Sequence, residues 1–112
     1  MKTFYRMILL LAALTVPLIM ALAEGDVDKG KAVFGRCSTC HGDSGQGNAA
    51  IAKVLGAEIP DLGSKEVQEL DDAALKKVIL EGKDKMQPVH LTDTEVADVI
   101  SFVRSLKKPS AE

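Results

Sequence analysis

The sequence predicts an all-helical domain of about four helices, and three observations carry the prediction. Apolar residues recur three and four apart in separate segments, residues that start and stop helices bound those segments, and no run alternates as a strand would. The first helix is expected from about Val27 to Cys37. Asp26 precedes it as a cap, and Val27, Gly30, Phe34 and Cys37 share one face, so the helix delivers Cys37 toward whatever Gly30 and Phe34 pack against. The stretch from His41 to Pro60 is rich in Gly and small residues and reads as loop with a short turn of helix at most. A short helix is expected over Lys65 to Leu70. Another starts after Asp71 or Asp72, carries Leu75, Val78 and Ile79 on one face and stops at Gly82. After the loop KDKMQPVHL comes the best-marked helix. Thr92 with Glu95 makes a capping box, and Val96, Val99, Ile100, Val103 and Leu106 recur at helical spacing. Lys107 and Lys108 complement the negative end of the dipole, and Pro109 closes the helix.

These elements occupy only part of the 112 residues. Met1 to Ala23 opens with Lys2 and Arg6, continues as an uncharged apolar run and ends on the small residues of Ala21-Leu22-Ala23, the pattern of a secretory signal peptide. The division is therefore signal peptide 1-23 and a single domain 24-112, with a periplasmic destination. The alternative is a membrane anchor by an uncleaved signal, because Met7 to Ala23 approaches the roughly 20 apolar residues of a spanning helix. Removing 23 residues from 112 leaves 89. A chain that short buries only about 60% of its unfolded surface and needs a staple. Its aromatics are Phe34 and Phe102 alone, since Phe4 and Tyr5 leave with the signal and there is no Trp, so something other than side chains is expected to fill the middle. Removing Lys2 and Arg6 from 14 cations leaves 12 against 16 acids, a net charge of about −4. Nucleic acid, which calls for a basic footprint, is excluded as a partner.

The chemistry concentrates in GRCSTCHGD, Gly35 to Asp43, which holds both cysteines and one of the two histidines. Two thiols three positions apart, followed at once by an imidazole, suit covalent haem attachment: each sulfur adds to one vinyl group and His41 ligates the iron. Three other uses compete. A Cys37–Cys40 disulfide would close a loop too small to constrain much of the unfolded chain. A thioredoxin-like redox pair wants alternating strands and helices around it. Zinc wants four ligands, and the adjacency of Cys40 and His41 makes an awkward set. For the sixth position of a haem iron the candidate is Met86, the sole methionine after the signal, in a polar and flexible loop far enough downstream to approach from the other side. The alternative to a ligand is core filler. His90 in the same loop is the rival ligand, and an open sixth position would instead make a five-coordinate gas-binding protein.

The segments DVDKGKAVFGRCSTCHG, IPDLGS, GKDKMQP and LTDTEVADVISFVRSL, taken in order, resemble a small bacterial class I c-type cytochrome over nearly the whole of Asp26 to Leu106. The resemblance implies a cytochrome c-like bundle wrapped around one haem c, covalently held through Cys37 and Cys40. It also implies a crossing of the first and last helices at Gly30, Phe34 and Phe102, where a glycine permits close approach. By the same resemblance the Pro60 carbonyl accepts the hydrogen bond from the free ring nitrogen of His41. One departure is that Gln87 separates Met86 from Pro88, where the family often has Met directly followed by Pro. With His41 and Met86 as the two metal ligands, the expected function is that of a monomeric electron carrier and not an enzyme. It would serve redox protein partners, namely periplasmic or membrane-bound dehydrogenases, reductases or oxidases, or act as the electron-transfer subunit of a periplasmic oxidoreductase complex. Lys83 and Lys85 beside Met86 would favour an acidic partner.

Overall fold

Side chains set the start of five of the six helices seen in the computed structural model, which describes residues 25–109. The expected signal peptide and its cleavage point lie outside the described residues. In chain order the helices are α1 (Val27–Phe34), α2 (Ser38–His41), α3 (Ala49–Leu55), α4 (Lys65–Gln68), α5 (Asp72–Glu81) and α6 (Asp93–Ser105). The caps follow the logic of orphan backbone donors: Asp26 accepts from Lys29 N, Asn48 from Ala50 N and Ile51 N, Ser64 from Val67 N, and Asp71 from Ala74 N. Thr92 and Glu95 make the full reciprocal box.

Six helices, where about four were expected, arise from two local events. The first helix does not run on to Cys37. After Phe34 the backbone tightens into i→i−3 bonds, with Gly35 N to Ala32 O at 3.3 Å, Arg36 N to Val33 O at 3.1 Å and Cys37 N to Phe34 O at 2.8 Å, before α2 resumes the helix. The Gly-rich stretch yields α3, nearly two turns, between the Asn48 cap and a left-handed Gly56 at φ 61°. Elsewhere the bounds shift slightly. Helix α4 stops at Gln68, two residues short of Leu70, and α6 stops at Ser105, ahead of Lys107 and Pro109. The tail turns back instead, with Lys108 N donating to Gly63 O at 3.0 Å and the Lys108 ammonium paired with Asp61.

The core lies where α1 crosses α6. Phe34, Val99, Phe102 and Val103 form one buried cluster, and the rings of Phe34 and Phe102 meet with centroids 4.9 Å apart and planes tilted by 50°. Gly30 makes the crossing possible, because a Cβ there would lie 1.9 Å from the Asp98 carbonyl oxygen. The expected inward face of α1 thus holds for Gly30 and Phe34, while Val27, in the first turn, is 43% exposed. Asp98 is buried beside the crossing and accepts from Asp26 N at 2.8 Å, so a carboxylate sits at the positive end of α1. Helices α3 and α5 bury no residue fully.

Candidate functional site

Helix α2 is a single turn, and both of its ends are fastened. Cys37 occupies the N-cap position, and His41 N bonds Cys37 O at 3.0 Å, so the two cysteines and the histidine project from one turn of backbone. The far end is closed by the returning loop. Gly47 N donates to His41 O at 2.6 Å, Asn48 N to Cys40 O at 2.9 Å, and the Asn48 amide to Thr39 O at 3.1 Å. Carbonyls that a four-residue helix would leave orphaned are thereby satisfied, and Asn48, the cap of α3, does both jobs.

Both thiols are free and half-buried. Burial raises the Cys37 pKa above its ordinary value, opposed by the neighbouring Arg36 and reinforced by Cys40. That is the wrong direction for a thioredoxin-like nucleophile, which needs a stabilised thiolate. Burial also lowers the His41 pKa, keeping the imidazole neutral and able to donate a lone pair to a metal. The His41 Nδ1 atom is buried and has no hydrogen-bond partner. Nδ1 makes no bond to the Pro60 carbonyl here, and Pro60 itself is exposed. Phe34 reaches from the core toward the imidazole, with ring centroids 6.5 Å apart, so packing at the helix crossing bears on the orientation of His41.

Met86 sits in a tight hairpin. Lys83 N donates to Met86 O at 3.1 Å and Met86 N to Lys83 O at 2.8 Å, around a turn in which Asp84 takes a positive φ of 52°. Gly82 backs the hairpin at φ 77°, where a Cβ would come within 2.5 Å of Met86 O. Val89 N donates to Ile79 O at 2.8 Å and ties the loop to the last turn of α5. The extra residue Gln87 is exposed and is accommodated in the chain between the hairpin and this tie. Met86 is half-buried, whereas His90, Lys83 and Lys85 are exposed.

These residues fit a haem. Two free thiols and a neutral imidazole come from one turn, and the imidazole carries an unsatisfied buried nitrogen. A thioether is held in a fastened loop, and Leu75, Val78 and Ile79 of α5 form an apolar face that protein atoms only half cover. Among the described residues no three His, Cys, Asp or Glu side chains gather as they would around a bare metal ion. Residues that sequence reasoning missed include Asn48, Gln68 and Arg104. Asn48 carried a legible signal as a helix cap; the other two act through contacts about 35 residues away in the chain.

Comparison with known proteins agrees with this chemistry. The cytochrome c family model matches residues 27–107. A solved c-type cytochrome, KustC0563, is similar at 31% identity and a TM-score of 0.61, covering 70% of this chain and 98% of its own. No curated protein matches.

Proposed function

Because the chain belongs to the cytochrome c family, and so is a haem-based electron-transfer protein carrying covalent haem c with Cys37 and Cys40 in the attachment positions, we propose that it is a monohaem one-electron carrier in which His41 and Met86 would ligate the haem iron. The observation that carries the proposal is the state of His41: a neutral, half-buried imidazole on the same turn as two free thiols, with its Nδ1 unpartnered. The haem supplies a single-electron couple, and thioether ligation raises its potential relative to two histidines.

The chain's own residues hold that couple steady. The fastened ends of α2 fix the cysteines and His41 relative to one another, and the Lys83–Met86 hairpin fixes the thioether. A site that does not rearrange between charge states keeps the reorganisation small. The apolar face of α5, which protein atoms only half cover, would line one side of the haem and keep water from it. Exposed Lys83 and Lys85 flank Met86 and would steer an acidic redox partner at long range. Cytochrome c domains are typically extracytoplasmic, and a periplasmic setting follows if Met1 to Ala23 serves as the signal and is removed; N-terminal sequencing of the protein from a periplasmic fraction tests that.

The ligation is tested by spectroscopy on protein matured with haem-attachment machinery. The ferric protein is expected to show a sulfur-to-iron charge-transfer band that disappears in Met86→Ala and persists in His90→Ala. A band that survives Met86→Ala would overturn the assignment.

A further inference from the structure

Helix α5 is the element that ends at the Met86 hairpin, yet it buries no side chain of its own. Along its length it is held to the rest by the half-buried Ile79, which packs on the core, and by the exposed Lys76–Asp93 pair, so the contacts at its ends carry much of its placement. At the start of α5 a single side chain makes four hydrogen bonds. Arg104 of α6 donates from Nη1 to Gln68 O at 2.9 Å and from Nη2 to Leu70 O at 2.5 Å. Its Nε and Nη2 donate to Asp72 Oδ1 at 3.2 and 2.8 Å. Gln68 answers in the opposite direction, its side-chain amide donating to Val103 O at 2.9 Å and to Leu62 O at 2.8 Å. Arg104 and Gln68 therefore form a reciprocal clamp between α6 and the α4–α5 junction, each side chain engaging the other segment's backbone.

The Arg104 side chain is 29% exposed but Asp72 is 72% exposed, so it is the bonds to main-chain carbonyls, and not the ion pair, that set the clamp apart from a surface salt bridge. Its acceptors are the carbonyl of Gln68, the last residue of α4, the carbonyl of Leu70 in the α4–α5 junction and the carboxylate of Asp72, the first residue of α5, so the guanidinium fixes where α5 begins. At the other end, Val89 N to Ile79 O and the close seat of Gly82 against Met86 O transmit the placement of α5 to the hairpin. A lysine cannot reproduce this, because an ammonium lacks the planar fork of five donors that reaches three separate acceptors.

From this arrangement we propose that Arg104 is a positioning residue for the Met86 ligand: its clamp on Gln68, Leu70 and Asp72 sets the placement of α5 and thereby of the Lys83–Met86 hairpin. The inference rests on Met86 being the axial ligand.

The test is the sulfur-to-iron band of the haem-loaded ferric protein, titrated with urea, in wild type, Arg104→Ala, Arg104→Lys and Val96→Ala. Val96 is a buried residue of α6 outside the clamp, so Val96→Ala reports the effect of general destabilisation. Loss of helical circular dichroism is followed in the same samples. In Arg104→Ala the ratio of methionine-detached to methionine-ligated folded protein is expected to rise about tenfold, the scale for losing hydrogen bonds from a charged donor. Arg104→Lys, which keeps the charge and folds more readily, is expected to recover only part of this. Val96→Ala is expected to lose the band and the helix signal together. If both Arg104 variants also lose the two signals together, the positioning role is overturned while Met86 ligation stands. If wild type shows no such band, the ligand assignment falls and this inference with it.

Discussion

The α1–α6 crossing and the α5–Met86 side of the molecule are held by different physics. The crossing is apolar, with Phe34, Val99, Phe102 and Val103 buried together and a glycine letting two backbones touch. Helix α5 has no fully buried residue; besides the half-buried Ile79 that packs on the core, its side of the molecule relies on caps, a hairpin and the Arg104 clamp. Apolar packing is nondirectional and tolerates only small volume changes, which suits a permanent scaffold. Hydrogen bonds are directional and worth about 1 kcal/mol each, which suits holding a ligand loop in one orientation. Stability is thus concentrated at one place and tuning of the site at another.

The largest effect expected is at the crossing. Gly30→Val puts a branched side chain where even a Cβ lies 1.9 Å from the Asp98 carbonyl, so the helices must separate and little folded protein should be recovered. A well-folded Gly30→Val variant with wild-type circular dichroism would show that the crossing does not depend on the close approach of the two backbones. Next comes Phe34→Ala, expected to lower unfolding stability in urea by about 3–5 kcal/mol. Because Phe34 also approaches His41, the same variant should perturb the Soret spectrum, whereas a purely structural role would leave the folded spectrum unchanged.

Thr92→Ala removes the cap of α6 and is expected to cost about 1 kcal/mol in the same assay. A loss as large as that of Phe34→Ala would show that α6 is held by its end and not by its packed face.

The smallest effect concerns the tail. The Lys108 hydrogen bond, helped by Gly63 N and by the lysine's charge, holds the Asp61 carboxyl below its ordinary value. A carboxyl depressed in the folded state contributes stability above its unfolded pKa and loses it as pH falls through the lower folded value. Urea melts of wild type and Asp61→Asn should therefore differ slightly at neutral pH and converge in acid below the ordinary carboxylate range. The Lys108 partner is exposed, so the difference is small and should shrink further in high salt. A gap that widens toward acid would reverse the assignment.

Local signals in the sequence foretold much of this. Asp26 and Thr92 cap the helices they were expected to cap, Asp71 and not Asp72 caps α5, and the periodicity of Val96, Val99, Ile100 and Val103 marked the face of α6 that is buried. Helix α3 was masked by glycines that surround it, although Asn48 and Gly56 delimit it in a readable way. Asp98 defied its residue type, buried because a helix start happens to face it.

The attachment chemistry and the capped helix starts could be read along the chain, since both depend on groups within a few residues: sulfurs three apart, an imidazole next in line, a cap three residues from the amide it serves. The packing of the helices settled that Arg104 and Gln68 clasp one another, that His41 Nδ1 is left without an acceptor, and that Arg104 holds the start of α5. Those outcomes join atoms tens of residues apart, and which distant groups meet is settled by how the helices pack.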